Sequence, residues 1–275
     1  MSNLRIIHQN LANTATLTAS TTAGSLVAAN MVNDRKGLLH RSTGLVVQYT
    51  LTWPDLQTIG GIGFPAIRIT PDSTIRVWAY DAVAGGNLVV DTGVQWLAPG
   101  PSLGNWDWTL PLNQSAFAAG SMVKAAYWLP DHYAARRVVV EVADLTNPAG
   151  YIDCARLVVG GFWEPDNSAD YGVVTGVNDS SKNSRTGAGD LPSDRASMND
   201  SLKLDLSVMT SRDRARMHRI MNQNGTTIPI FISLVAGSED MLLEQDSMIY
   251  GKRQNSPVAF SSYNLHSTSI TIEGW

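Results

Sequence analysis

Gly60, Gly61 and Gly63 are the residues nearest to a phosphate-cradling pattern. Such a loop works where a strand hands over to a helix whose first N–H groups receive the phosphate. Here the glycines lie between two strand-like stretches, so no dinucleotide site is expected. Asp166, Ser168 and Asp170 space oxygen ligands as a calcium loop does. Tyr171 stands where such a loop needs glycine and Val177 where it needs a bidentate glutamate, so the segment reads as a polar connector. The histidines His8, His40, His132, His218 and His266 are isolated from one another, and His218 falls on the solvated side of a helix. No Walker loop, zinc-protease His-Glu pair or serine elbow is present, and spacing nominates no carboxylate pair. The chain is therefore expected to be no enzyme, with no catalytic residue, no metal and no cofactor. Its single cysteine, Cys154, excludes an intrachain disulfide and is expected in the core, between Ile152 and Leu157.

Aromatic side chains are the remaining candidates. Trp96, Trp106 and Trp108, with Tyr127, Trp128 and Tyr133, fall in a context rich in Gly, Pro and Asn. Such rings stack on sugars, and they equally plug the end of a sandwich or line a subunit interface, which is their commoner use. Trp96, Trp106, Trp108, Trp128 and Tyr133 are accordingly the candidate glycan or interface residues.

The elements that must position these residues are mostly strands. Leu45, Val47, Tyr49, Leu51 and Trp53 alternate with polar or solvent-facing partners until Pro54-Asp55, where the run is expected to stop. Further strands are expected over 66–70, 73–80, 87–91 and 137–143, with Val138, Val140 and Val142 inward. Turn chemistry at Thr70-Pro71-Asp72, Ala84-Gly85-Gly86 and Pro99-Gly100-Pro101 separates them. Residues 26–34 read as a short irregular or helical segment. Close strands with little helical periodicity predict an antiparallel β-sandwich over 1–165. Residues 166–200 are poor in large apolar side chains and predict a polar linker or arm. Alternation returns at Leu202, Leu204, Leu206 and Val208, which opens a smaller β domain over 201–275. Its helix is expected over 211–224, with Thr210 as N-cap, Gly225 beyond the C-terminus and an apolar stripe of Met217, Ile220 and Met221. Strands over 228–235, 247–252 and 268–274 complete it.

The whole chain has 275 residues, 16% charged and 44% apolar, with net charge -4. That length favours two domains, and the composition argues against disorder. The slight acidic excess provides no field for a nucleic-acid backbone or an anionic membrane. Neither a signal peptide nor a membrane span is expected.

Each half resembles something known. Ala28-Ala29-Asn30-Met31-Val32-Asn33-Asp34, then His40-Arg41-Ser42, the strand 46–53 and Ile59-Gly60-Gly61-Ile62-Gly63 are similar to the opening of galactose-binding-like, discoidin-type jelly rolls. The closing segment Arg137 to Val142, Asp144, Asn147-Pro148, Gly150-Tyr151-Ile152 and Arg156 to Gly160 resembles the end of such a domain in tail proteins of tailed bacteriophages. Trp163-Glu164-Pro165, Asn167 and Tyr171-Gly172 continue that likeness. In the second half Ser184-Arg185, Gly187, the strand 202–208, the helix with Asp213, Asn224-Gly225, the strand 229–234 and Ile249-Tyr250-Gly251 look like the companion domain of those proteins.

The resemblance implies a structural virion protein, a distal-tail-like subunit of a tail tip or baseplate ring made in the cytoplasm of a host bacterium. It further implies a ring-shaped homo-oligomer, six-fold first and three-fold second, touching the tail tube and hub. Asn178, Lys182, Arg185 and Asp190 are the candidate assembly-arm residues. The alternative is a carbohydrate-binding adhesin that contacts host surface glycans. No calcium loop aligns and no basic cluster marks the mouth of the sandwich, so sugar-binding residues do not carry over one by one.

Overall fold

The computed structural model describes residues 3–100, 122–238, 241–255, 257–260 and 265–275. The chain divides into two compact units: Met1–Glu164 with Phe231–Met248, and Pro165–Ile230 with Ile249–Trp275. The segment 166–200 thus groups with the second unit, and 231–248 returns to the first.

The first unit is an antiparallel β-sandwich built around two long strands, Val46–Arg68 and Val123–Ala143, paired along most of their length. The strand does not stop at Pro54-Asp55 as expected. It bulges instead: Thr52 pairs with Arg137 and Gln57 with Ala135, so three extra residues loop out and Pro54, Asp55 and Leu56 are exposed. Proline has no N–H to give a ladder, so a bulge is where a strand can hold one. Beyond it the pair belongs to the other layer. The first layer adds Thr16–Ala19 on one side and Thr74–Tyr80, Leu88–Asp91 and Gln95–Trp96 on the other. The second layer adds Asp153–Gly160 and His40–Arg41.

Period-two alternation fills the space between the layers. Val47, Tyr49, Leu51, Trp53, Ile75, Val77, Ala79, Val138, Val140 and Val142 are buried from one side, and Ile59, Ile62, Phe64, Ile67, Cys154, Leu157 and Val159 from the other. Two polar anchors close the ends. Asp144, fully buried, accepts hydrogen bonds from the Thr70 backbone N–H (2.7 Å) and hydroxyl (2.6 Å) and pins the Thr70-Pro71-Asp72 turn. Arg156, also buried, donates to Met31 O (3.1 Å) and Asn13 Oδ1 (2.8 Å) and pairs with Asp34 (3.0 Å). It fastens the 3-10 turns Leu11–Asn13 and Ala28–Val32, so the Asn33-Asp34 end of the opening motif has a structural use.

The second layer is buried on both faces, because Asn3–Ile7 and Ile230–Ala236 pair with each other as a further layer of the same unit. The short helix Met241–Ser247 follows in the chain.

In the second unit Met198–Met209 pairs with His266–Gly274 on one side and Val174–Asp179 on the other. Val258–Phe260 and Met248–Arg253 also pair with His266–Gly274. Leu202, Leu204, Leu206, Ile270 and Ile272 are buried. The helix runs Ser211–Asn224, with the Thr210 side chain accepting from Asp213 N, Gly225 at φ 54° behind it, and Met217 and Ile220 buried. The polar stretch expected as a linker instead forms strands: Val174–Asp179, Lys182–Asn183 and Ser193–Asp194 lie in it, and nearly all of it is exposed.

Val140 is fully buried and registers with Tyr49 and Val77. Val140→Asp is expected to cost about 3–5 kcal/mol through an unpaired buried charge and to unfold the first unit. Parental circular dichroism and melting would refute the inward placement.

Candidate functional site

The sequence-nominated aromatics come apart in the structure. Trp96 sits on Gln95–Trp96 at the sheet edge, 60% exposed. Tyr133 is half-buried against the sandwich core. Trp106 and Trp108 lie outside the described residues.

Trp128 belongs to a separate cluster built on glycine. It faces Gly61 across the ladder, and a Cβ there would come within 2.7 Å of its ring. A Cβ on Gly60 would meet His132 at 2.8 Å and Phe162 at 2.9 Å, and one on Gly63 would meet Phe231 at 2.9 Å. The three glycines are a bare strip on which rings lie, since glycine within a strand admits close approach. Trp128 meets Phe162 edge-on (5.6 Å, 87°) and tilts against Phe231 (6.2 Å). The Arg5 guanidinium lies 4.3 Å from the Phe162 ring centre and pairs with Glu164 at 2.9 Å. The Trp128 indole N–H donates to Glu244 Oε1 at 2.8 Å, and the Ser233 hydroxyl and Gly237 N–H donate to the same oxygen. With its polar edge occupied, Trp128 serves packing within this unit.

Sequence reasoning missed a second aromatic group, on the outer face of the first layer. Arg76, Trp78 and Tyr80 alternate along Thr74–Tyr80, with Glu141, Val139 and Arg137 opposite them. The guanidinium of Arg76 lies 4.7 Å from the Trp78 ring centre, and that of Arg137 lies 4.0 Å from Tyr80. Arg76 grips Asp91 with two hydrogen bonds, 3.0 and 2.7 Å, and holds its carboxyl down at about 2. The available signal was the period-two spacing of Arg76, Trp78 and Tyr80, but the partner Arg137 appears only once the register is known.

The four arm candidates fall on one continuous ribbon. Asn178 faces Asn199, and Lys182 faces Asp194. Arg185 Nη1 donates to Gly189 O at 3.0 Å, and the Asp190 N–H donates to Thr186 Oγ1 at 3.1 Å, closing the tip. The Ser180 N–H to Ser197 O bond and the Ser184 N–H to Pro192 O bond join the ladders between. Val177 and Met198 on this ribbon are 62% and 63% exposed.

Asp166 and Asp170 bond to the second unit's own backbone and side chains. Thr210 Oγ1 lies 3.0 Å from Asp166 Oδ2, and the Ser207 N–H donates to Asp170 Oδ2 at 2.8 Å. Among the described residues no group of three or more His, Cys, Asp or Glu side chains could hold a metal ion. Cys154 is fully buried, and burial pushes its thiol far up, away from the reactive thiolate.

No family model matches the chain. No curated protein matches it at a significant level either. Solved structures do match. A Clostridium perfringens module crystallised with GalNAc-β-1,3-galactose is 15% identical, covers 56% of this chain and 100% of its own, and superposes with a TM-score of 0.37. A chitosan-binding module of a Paenibacillus chitosanase/glucanase has values of 14%, 56%, 100% and 0.38 in the same order. A Streptococcus pneumoniae fucose-binding module has 15%, 55%, 94% and 0.35. No residue's role passes across likenesses of this size.

Glu244 supplies a test of the Trp128 cluster. Burial holds its carboxyl above the usual range, while hydrogen bonds from Trp128, Gly237 and Ser233 and the charge of Arg5 pull the other way. The folded state thus keeps the proton to higher pH than the unfolded chain does. Stability therefore falls as pH rises from the ordinary carboxylate range through the raised value. Glu244→Gln keeps an acceptor for Trp128 and loses that slope. Melting temperature against pH is expected to fall for the parent relative to the variant across that window and to run parallel above it. Parallel curves throughout would mean that Glu244 does not ionise there.

Proposed function

We propose that this chain is a non-enzymatic assembly subunit that joins its neighbours through the ribbon of residues 174–202. The observation that carries the reading is a two-stranded ribbon, exposed over nearly its whole length, with Val174, Val177, Leu191 and Met198 open to solvent. An isolated pair of strands is marginal in water, and an extended arm gains stability when a neighbour supplies the missing layer. The resemblance of both halves to tail proteins of tailed phages suggests the setting, a tail tip or baseplate ring in the virion. There a head-to-tail contact repeated by rotation would close a ring.

A second reading, glycan binding by the first unit, is favoured by the outer-face group. Trp78 and Tyr80 place two half-exposed rings in a row on the outer face of the sheet, an apolar strip of the kind a sugar ring stacks on. The modules with which this chain shares a likeness are described with sugar ligands, so the comparison with solved structures bears on this reading alone. The two readings are compatible, since they use different units.

Replacing 177–200 by an Asn-Gly turn, which closes the Gly176–Ser201 pair, is expected to leave the melting temperature near the parent's and to turn an oligomer into a monomer by light scattering. A parent that is monomeric, or a truncated chain that assembles equally well, would overturn the assembly reading. For the second reading, a glycan array is expected to give hits that Trp78→Ala weakens by about tenfold, the loss of one stacked ring. An array without hits would refute it.

A further inference from the structure

The helix Ser211–Asn224 carries four arginines, and their placement works against the helix. Arg212, Arg216 and Arg219 stand at i, i+4 and i+7 and form one ridge, which Gln223 continues. Like charges at such spacing cost an isolated helix about 0.2–0.5 kcal/mol per pair. Arg212 and Arg214 also sit at the N-terminal end, where the helix dipole disfavours cations, while the last turn has no basic residue. The only acidic side chain of the helix, Asp213, is buried against Thr210 and the Asp166 backbone. Arg214 turns to the exposed Phe260, 5.0 Å from its ring centre. Among the described residues none of the four arginines makes an ion pair, and the Nε atoms of Arg214 and Arg216 are buried without a hydrogen-bond partner. A charge pattern that destabilises its own element calls for an anionic partner.

The ribbon carries the complementary pattern. Thr175 pairs with Leu202, Val177 with Asp200 and Asp179 with Met198, so these six side chains share one face. That face has two carboxylates, Asp179 and Asp200, two exposed apolar groups, Val177 and Met198, and no cation. It continues the face on which Leu202, Leu204 and Leu206 are buried. Diagonal neighbours across a strand pair lie about 7–8 Å apart. Successive ridge arginines have Cβ atoms about 5–6 Å apart, within reach of that spacing on long side chains. Phe260 beside Arg214 offers an apolar spot for Val177 or Met198.

We propose that the Arg212, Arg216 and Arg219 ridge is the seat for the acidic and apolar face of the ribbon of a second copy of this chain. This rests on the assembly reading above and adds the surface that receives the arm. Arm and seat are different surfaces, so the contact is head-to-tail and leaves each copy with one of each to offer the next.

The test is a charge swap in the full chain, read by the association constant from light scattering and by melting. Arg212→Glu with Arg219→Glu is expected to weaken association by at least about tenfold while melting holds or rises, because the reversal relieves like-charge repulsion on the ridge and, at Arg212, suits the dipole. Adding Asp179→Arg and Asp200→Arg to that variant is expected to restore association. As a milder variant, Arg212→Gln with Arg219→Gln should lose the weakening by salt that the parent shows. If ribbon truncation dissociates the oligomer while both ridge variants associate like the parent with unchanged salt dependence, the seat lies elsewhere and only the assembly reading stands. If the parent is a monomer, or if truncation and ridge variants alike leave association unchanged, both fall.

Discussion

The first unit depends on one pair of strands that is too long for one flat sheet. Val46–Arg68 and Val123–Ala143 run to 23 and 21 residues and stay hydrogen-bonded through a change of layer. The bulge at Pro54, Asp55 and Leu56 absorbs the mismatch, and strand twist increases at such points. Because the same two strands serve both layers, side chains on opposite sides of the core are tied covalently. A defect such as a charge at Val140 is therefore felt through the whole sandwich. The sheet edges that remain are short, among them Gln95–Trp96 and His40–Arg41, which limits edge pairing with other chains.

The glycine strip follows from that arrangement. Once the second layer must accept rings on its outer side, Cβ atoms at Gly60, Gly61 and Gly63 become impossible without displacing Trp128, Phe162, His132 or Phe231. Burying Glu244 under the indole of Trp128 has a cost, set by desolvation, that three hydrogen bonds and Arg5 partly offset. The cluster is thus a polar-pinned joint within one unit, whereas the Arg76, Trp78, Tyr80 and Arg137 group lies half-exposed on the outer face of the first layer, with the guanidinium groups over the rings.

Alternation and capping made much of this legible from residues alone. The strands near 46–53, 74–80 and 137–143 appear because one face of each is buried, and the helix 211–224 because Thr210 and Gly225 mark its ends. Three things were hidden. Pro54-Asp55 has the composition of a stop, and only the partner strand reveals a bulge. Three glycines in so short a run match a phosphate loop first, although glycine inside a strand also signals close approach. The allocation of 231–248 to the first unit depends on a pairing with Asn3–Ile7 across more than two hundred residues, which no local pattern encodes. Of the site, the ribbon was visible as polar composition, but its strand pairing was not, because exposed polar strands lack the apolar alternation that betrays a buried face. The arginine ridge looks like an ordinary solvated helix face until the lack of partners is seen.

That distant pairing has a consequence for synthesis. Ile7 registers with Phe231, so an amino-terminal strand emerges from the ribosome with its partner still untranslated. At bacterial or slower elongation rates of about 5–20 residues per second, the gap lasts roughly ten seconds to under a minute. Throughout it, the outer side of the second layer and the glycine strip lack Phe231 and Glu244, and apolar surface that is dry in the finished protein is wet. The nascent chain therefore passes through an incomplete sandwich in which Trp128 has no acceptor in Glu244, a state in which chaperone binding or premature contact with a sister chain competes with the return of the strand Ile230–Ala236.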